Sequence, residues 1–435
     1  MLDTTEHGCY CVWESFENAF DYDWGSVSLE FNKVIEQVQR MGRYEGKRSL
    51  SRSDRLAIAL ERFYEQTDLE RIHDRIHLVR TSGVSGYRGA TPLPQPYSEI
   101  IAGVGDAPPL PPSATLIAAD GSQIYPDQHQ SALYYLVNIG IYIYHHGVPR
   151  LPAQFTTPEL VYAESKIKDS DGRIVNNQTV NARRTLAEMQ WLARQAWEYR
   201  EEARPLVLLH DGPLLKFFGA TEITDAHQIE RDYMEALRQL YDARAVLCGY
   251  IDRPRSTSLI GLLHLMYLAE SEINEVILKT NGDLEGLTDE MLLRYVLAEP
   301  GQRSALMTQN SPQNAEYKSK GAEYEIAFFY MNVAPFGQPV IARIDVPLWV
   351  AREPSQIDAL HALLLHQCGI QGRRHYPYVL TRADEMAFVS GIEKDQLNQL
   401  IHIELLRNGI QPEMSNKLQT KGLARGDRRQ HRLRA

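Results

Sequence analysis

Cysteine is scarce in this chain: four residues in 435, and Cys9, Cys11, Cys248 and Cys368 are scattered without a framework. That excludes a small disulfide-stapled fold and fits reduced thiols in a cytoplasmic protein. Cys9 and Cys11 have no second Cys/His pair at finger spacing, which argues against a zinc finger. Long apolar runs are missing as well. The longest candidate, Ala132 to Tyr144, contains Asn138 and Gly140 and falls short of the roughly 20 residues a bilayer requires, so no membrane partner is expected. Asp3, Glu6 and Glu14 stand where a signal peptide would be basic. Nor is there an excess of positive charge. The net charge is -10, so nothing global draws the chain to nucleic acid, although a local basic groove can exist on an acidic surface.

What is present is an ordinary globular composition, 43% hydrophobic and 23% charged, with enough length for a substantial core. Ala114 to Ser122 reads Ala-Thr-Leu-Ile-Ala-Ala-Asp-Gly-Ser. Its apolar and β-branched run predicts a buried strand ending at Asp120, with Gly121 turning the backbone sharply. Pro205 to Pro213 repeats the pattern and ends in Asp211-Gly212. A single Asp-Gly is usually a turn. Two of them after apolar strands suggest paired carboxylates, hard oxygen ligands suited to magnesium or manganese.

Taken in order, residues 1–113 read as a helical N-terminal extension and linker. Helical spacing runs from about Leu29 to Val79, and Thr81 to Ser113 is rich in Gly and Pro. A core follows over 114–410. It holds strands at 132–145 and 155–162, a helix at 181–203, the strand Leu206 to Asp211, a helix near 225–243 and a strand at 245–251. Thr280 to Ala322 reads as an insertion whose helix, Asp289 to Ala298, sits on the rim. Glu325 to Ala334 and Pro339 to Val346 form an antiparallel pair across Pro335-Phe-Gly337, and helices are expected at Ser355 to Cys368 and Ala383 to Arg407. The tail over 411–435 becomes basic from Lys417 and would attract phosphates without sequence preference.

The order of strands, helix, strand, helix and strand, with acids at strand ends, predicts an α/β ribonuclease H-like mixed sheet flanked by helices. Six segments in sequence resemble the NurA family of DNA-end-processing nucleases. They are Ala119-Asp-Gly-Ser122, Arg183-Arg-Thr-Leu-Ala-Glu188, Leu208-Leu-His-Asp-Gly-Pro-Leu214, Cys248-Gly-Tyr-Ile-Asp-Arg253, Ile344-Asp-Val-Pro-Leu-Trp349 and Tyr376-Pro-Tyr-Val-Leu-Thr-Arg-Ala-Asp384. The resemblance spans roughly Ala114 to Leu406. It implies a manganese- or magnesium-dependent nuclease acting on DNA ends, dimeric and working with a HerA-like hexameric ATPase. It also implies that Asp120, Glu188 and Asp211 are metal ligands. Many family members carry histidine where this chain has Asp384, and lysine where it has Arg253 and Arg255. An acid at the fourth position still suits a two-ion site, which needs clustered ionised carboxylates.

Blander uses compete for several of these residues. Glu188 falls off the Leu186/Met189/Ala193/Trp197 face, so a solvated glutamate is the alternative, with Glu164 or Glu198 in its place. Asp384 would serve the dipole in the first turn of its helix. Lys216, Arg253 and Arg255 are candidate phosphate contacts or solvated surface, and Tyr376 a base-stacking or a core residue. His210 should point away from Asp211, since strand side chains alternate. Two other functions are consistent with the fold: a weakly active or inactive adaptor that docks a DNA translocase, and an RNA-directed ribonuclease.

Overall fold

Eleven strands build one mixed sheet in the computed structural model, which describes residues 31–411 except Ser85, Ser170, Ala203, Ala220, Thr221 and Arg373. The readings placed on Cys9, Cys11, Leu29 and the basic tail lie outside the described residues. The strands are β1 (Ala90–Pro92), β2 (Val104–Gly105), β3 (Ala114–Ile124), β4 (Tyr135–His146), β5 (Ala153–Val161), β6 (Leu206–Asp211), β7 (Val246–Ile251), β8 (Arg303–Ser304), β9 (Met307–Gln309), β10 (Ile326–Asn332) and β11 (Ile341–Pro347). The helices of eight or more residues are α1 (Asn32–Tyr64), α2 (Leu69–Thr81), α3 (Asn177–Glu198), α4 (Ala226–Asp242), α5 (Ser258–Tyr267), α6 (Asp289–Val296), α7 (Pro312–Lys320), α8 (Pro354–Ile370), α9 (Tyr378–Ala387) and α10 (Gly391–Arg407). The chain divides into Met1–Asp54 and Arg55–Ala435, and the sheet belongs to the second unit. In the first, the described residues are helical from Asn32, with Val38 and Met41 exposed.

Spatial order explains the architecture. Strands β5, β4 and β3 form an antiparallel ribbon, β6 runs parallel to β3, and β7 runs parallel to β6. That half is the ribonuclease H-like sheet the sequence predicts. From β7 the sheet continues antiparallel through β11, β10, β9 and β1, with β8 pairing β10 and β2. Parallel strands need crossover connections, and α4 supplies the one from β6 to β7. Both faces of β6 are therefore covered, and Leu206 to Leu209 are all buried. On one face α3 and α4 pack Met189, Leu192, Tyr233 and Leu237 against Ile117, Leu208 and Leu247. On the other, α8 and α9 pack Leu360, Leu364, Val379 and Ala383 against Leu116, Val207 and Val346.

Several expectations need correction. Strand β3 does not end at Asp120; pairing with β4 carries it through Gly121, which makes no turn, to Ile124. The stretch read as linker contributes β1 and β2, because its backbone groups pair with β9 and β8. The helix placed on the rim is a core element: Asp289, Leu292 and Leu293 are buried, and both leucines join Ile72 and Ile76 of α2 and Phe328 of β10. The last predicted helix is two helices, α9 and α10. Ser390 caps α10 by accepting from Glu393 N–H, and Glu393 reaches back to Ser390. No helix among the described residues is long and apolar enough to cross a membrane.

Candidate active site

Register brings the first two acids together. Ala119 of β3 pairs His210 of the parallel β6, so Asp120 and Asp211 follow side by side on adjacent strands. Alternation sends both side chains to one face: Asp120 follows Leu116 and Ala118, and Asp211 follows Val207 and Leu209, all packed under α8 and α9. Helix α9 then delivers Asp384 to that face, where its carboxyl shares a hydrogen bond with Asp120. Burial first, then the charges of Asp211 and Asp384, push Asp120 up to about 6, against a hydrogen bond of 2.8 Å from Gly121 N–H. Asp211 is raised by partial withdrawal from water and by Asp384 and Asp252. Hydrogen bonding from Tyr376 and the Lys216 charge oppose the rise.

Two glycines make room for the helices. Gly140 of β4 lies opposite Asp120, and a Cβ there would stand 2.4 Å from Ala383 O and from Ala387 N, so only a glycine lets α9 rest on the sheet. Asn138 Nδ2 and Ser122 Oγ donate to Ala387 O at 2.8 and 2.5 Å, fixing the end of α9. Asp384 therefore sits in the second half of α9 and not in a first turn, which removes the dipole explanation for it. Gly121 makes room on the other face. A Cβ there would lie 2.7 Å from Glu188 Oε1 and 2.8 Å from Arg184 Cγ.

Through that gap Glu188 of α3 approaches the aspartates from the opposite face. It is not a solvated glutamate: only 3% of the residue is exposed, whereas Trp197, read as core, is 53% exposed. The helix turns Glu188 inward because Gly121 leaves space for its carboxyl. Burial first, with Asp120 and Asp211 adding to it, pushes Glu188 up to about 8 against the opposing charges of Arg184 and Lys216. Arg184 Nε stands 3.4 Å from Glu188 Oε1, and its Nη1 donates to Gly121 O at 2.9 Å. His210 lies on the Glu188 face, with Nδ1 3.7 Å from Oε2, and burial holds its pKa well below the usual imidazole value. The alternatives Glu164 and Glu198 are exposed, and Glu164 pairs with Lys168 at 2.5 Å.

The predicted contacts separate into two groups. Lys216 is half-buried among Glu188, Asp345 and Asp211, and desolvation lowers its pKa. Tyr376 commits its hydroxyl to Asp211 and sets its ring edge-on to Tyr250 at 5.1 Å. Arg253, in a left-handed conformation and 92% exposed at its side chain, lines a groove of about 1050 Å³ that also holds Asp211 and Asp384. Arg255 is exposed and is not brought into that groove. Sequence reasoning missed Arg184, Gly140, Asn138 and Asp345. The last is fully buried, ion-paired to Arg343 at 2.8 Å, and accepts from Leu214 N–H at 3.2 Å, thereby holding the segment after Asp211. A glycine and an asparagine inside a β-branched strand were the available signal for Gly140 and Asn138.

The donor set suits a hard divalent cation: carboxylates that raise one another's pKa, and a Glu188 Oε1 buried without a hydrogen-bond partner. Among the described residues no three His, Cys, Asp or Glu side chains are disposed to hold one ion as they stand. Ligation would need side-chain rotation at the groove.

Fold and site together define a ribonuclease H-like α/β protein with an acidic cleft where β3 and β6 run side by side. Residues 114–389 match the NurA domain model, and the chain belongs to the NurA domain family. That membership supports a nuclease role. Among solved structures, the chain is similar to the NurA nuclease from Sulfolobus solfataricus, at 12% identity over 70% of this chain and 88% of that one, with a TM-score of 0.44. It is also similar to human endonuclease V, at 12% identity over 76% and 97%, with a TM-score of 0.30. No curated protein matches the chain.

Proposed function

We propose that the protein is a divalent-metal-dependent deoxyribonuclease that processes DNA ends in double-strand break repair. The observation that carries this is the convergence of Asp120, Asp211 and Asp384 on one face, with Glu188 reaching them past Gly121, and the raised pKa values of Asp120, Asp211 and Glu188. A manganese or magnesium pair held by Asp120, Glu188, Asp211 and Asp384 would activate water at neutral pH and neutralise charge on the leaving oxygen. The remaining work falls to the chain. Tyr376 orients the Asp211 carboxylate, Arg184 fixes Gly121 and Glu188, and Lys216 and Arg253 offer positive charge to the phosphates flanking the scissile bond. A homodimeric assembly and a HerA-like hexameric ATPase as partner belong to the same proposal, on the resemblance to the family alone.

The test is degradation of end-labelled linear single- and double-stranded DNA with manganese, comparing wild type with Asp120→Ala and Asp211→Asn. Activity lost in both variants with unchanged circular dichroism supports the reading. Activity retained in both variants refutes the site. DNA left intact by wild type even with a HerA-like partner favours the adaptor.

A further inference from the structure

The groove that holds Asp211 and Asp384 also has a lining of different chemistry. Arg374 and His375 line it together with Val340, and the Phe336 ring stands edge-on to His375 at 6.2 Å and 85°. Phe336 is 60% exposed at the tip of the β10–β11 hairpin. The tip stands clear of the body, since a Cβ on Gly337 would meet nothing within 4 Å. Its base is nevertheless fixed. Asn332 Oδ1 accepts from Ala334 and Val340 N–H, and Asn332 Nδ2 donates to Leu297 O and Glu299 O at 3.1 and 3.0 Å. The phenyl is mostly exposed, and its one ring contact is with His375, which lines the groove carrying Arg253 and Arg374.

Resting on the nuclease reading above, we propose that Phe336, backed by His375, is a stacking platform for an unpaired base of the strand being cut, while Arg253 and Arg374 meet its phosphates. Guanidinium groups along a groove with an aromatic face beside them match the needs of a single strand, whose bases are free to stack on side chains. A fully paired duplex keeps all its base faces inside its own stack except the outer faces of its terminal pairs, so away from its ends it gains nothing from the ring. The platform is therefore a specificity device: it favours a single-stranded or frayed end at the carboxylates.

The experiment uses the full chain in the cleavage-silent Asp120→Ala background without metal. The probes are single-stranded oligonucleotides carrying one 2-aminopurine, moved position by position, whose fluorescence is quenched on stacking. At one position quenching should occur with Phe336, disappear in Phe336→Ala and return in Phe336→Trp. The alanine variant should bind the single strand roughly five- to a hundredfold more weakly, while affinity for a closed circular duplex changes less than about twofold. Quenching that survives Phe336→Ala, or equal weakening on single strand and duplex, overturns the platform. Cleavage of the same oligonucleotides by wild type with manganese is run alongside. Intact cleavage with unaltered quenching in Phe336→Ala sinks the platform alone, whereas neither cleavage nor single-strand binding sinks the nuclease reading with it.

Discussion

Asp120-Gly121 and Asp211-Gly212 are the same dipeptide after the same kind of strand, and the fold uses their glycines for opposite reasons. Gly121 stays within β3, paired to Ile139 of β4, and matters because a Cβ would strike Glu188 and Arg184. Gly212 leaves β6 at φ +99°, donates to Tyr250 O at 2.8 Å, and would meet only Lys216 Nζ, at 3.9 Å, if it carried a Cβ. One glycine supplies space and the other supplies a turn. The two carboxylates end up neighbours because strand register, and not the dipeptide, places them.

The contrast breaks most severely at Gly121→Ala. The added methyl lies 2.7 Å from Glu188 Oε1 and 2.8 Å from Arg184 Cγ, so the buried carboxyl must move away from the aspartates. Cleavage of linear DNA should fall about a hundredfold, the scale of an ångström's misplacement in a site. Overpacking should lower stability by about 1–3 kcal/mol. Activity within a few fold of wild type would show that Glu188 does not work through that gap.

This difference also marks the limit of what the sequence reveals. The strands from β3 to β7, the β10–β11 pair and the two aspartates Asp120 and Asp211 were legible because apolar periodicity and Asp-Gly are local signals, whereas β1 and β2 lie in a stretch read as linker and β8 and β9 in one read as an insertion. The orientation of Glu188 was not: helical spacing takes it off the Leu186/Met189 face, and the cavity that admits it belongs to a strand more than sixty residues earlier. Gly140 and Asn138 were read only as interruptions of an apolar run, although they seat and cap α9. The split between α9 and α10 turned on Ser390, a capping signal hidden in a stretch that otherwise reads as one helix.

The second way to sharpen the comparison is pH. Glu188, on the Gly121 side, has its folded pKa raised from 4.5 to about 8, and Asp120 its own from 3.8 to about 6. At these two groups the folded state binds more protons than the unfolded one between those limits, so their contribution to stability falls as pH rises. The penalty is absent below about pH 4 and complete above about pH 8. Without added metal, wild type should lose on the order of 3 kcal/mol relative to Glu188→Gln between pH 5.5 and 8.5 in denaturant titrations, a difference in which the opposing contribution of buried histidines such as His210 and His361 cancels. Manganese at pH 8.5 should raise the melting temperature of wild type. Parallel profiles for wild type and Glu188→Gln would contradict the buried, mutually repelling carboxylates.

Gly212→Ala probes the other dipeptide and should behave differently. The site is open, so nothing collides, but the left-handed backbone should cost about 1–2 kcal/mol in stability. Cleavage should remain within about threefold of wild type, because Asp211 precedes the turn and is held by β6 pairing and Tyr376. Loss of activity as deep as that of Gly121→Ala would erase the distinction between space and turn.

The effect expected at Tyr376→Phe is confined to the acid limb of the pH–rate profile. The phenyl keeps the edge-on packing against Tyr250 and only the hydroxyl donated to Asp211 is lost. That hydrogen bond favours the ionised carboxylate, so its removal should raise the Asp211 pKa further and move the acid limb of the pH–rate profile upward. A net hydrogen bond of about 1 kcal/mol corresponds to a roughly fivefold loss of cleavage near that limb, shrinking at higher pH where Asp211 is ionised in both proteins. A loss that is uniform with pH would mean instead that Tyr376 acts on the substrate strand, and would move it from the support of Asp211 to the groove.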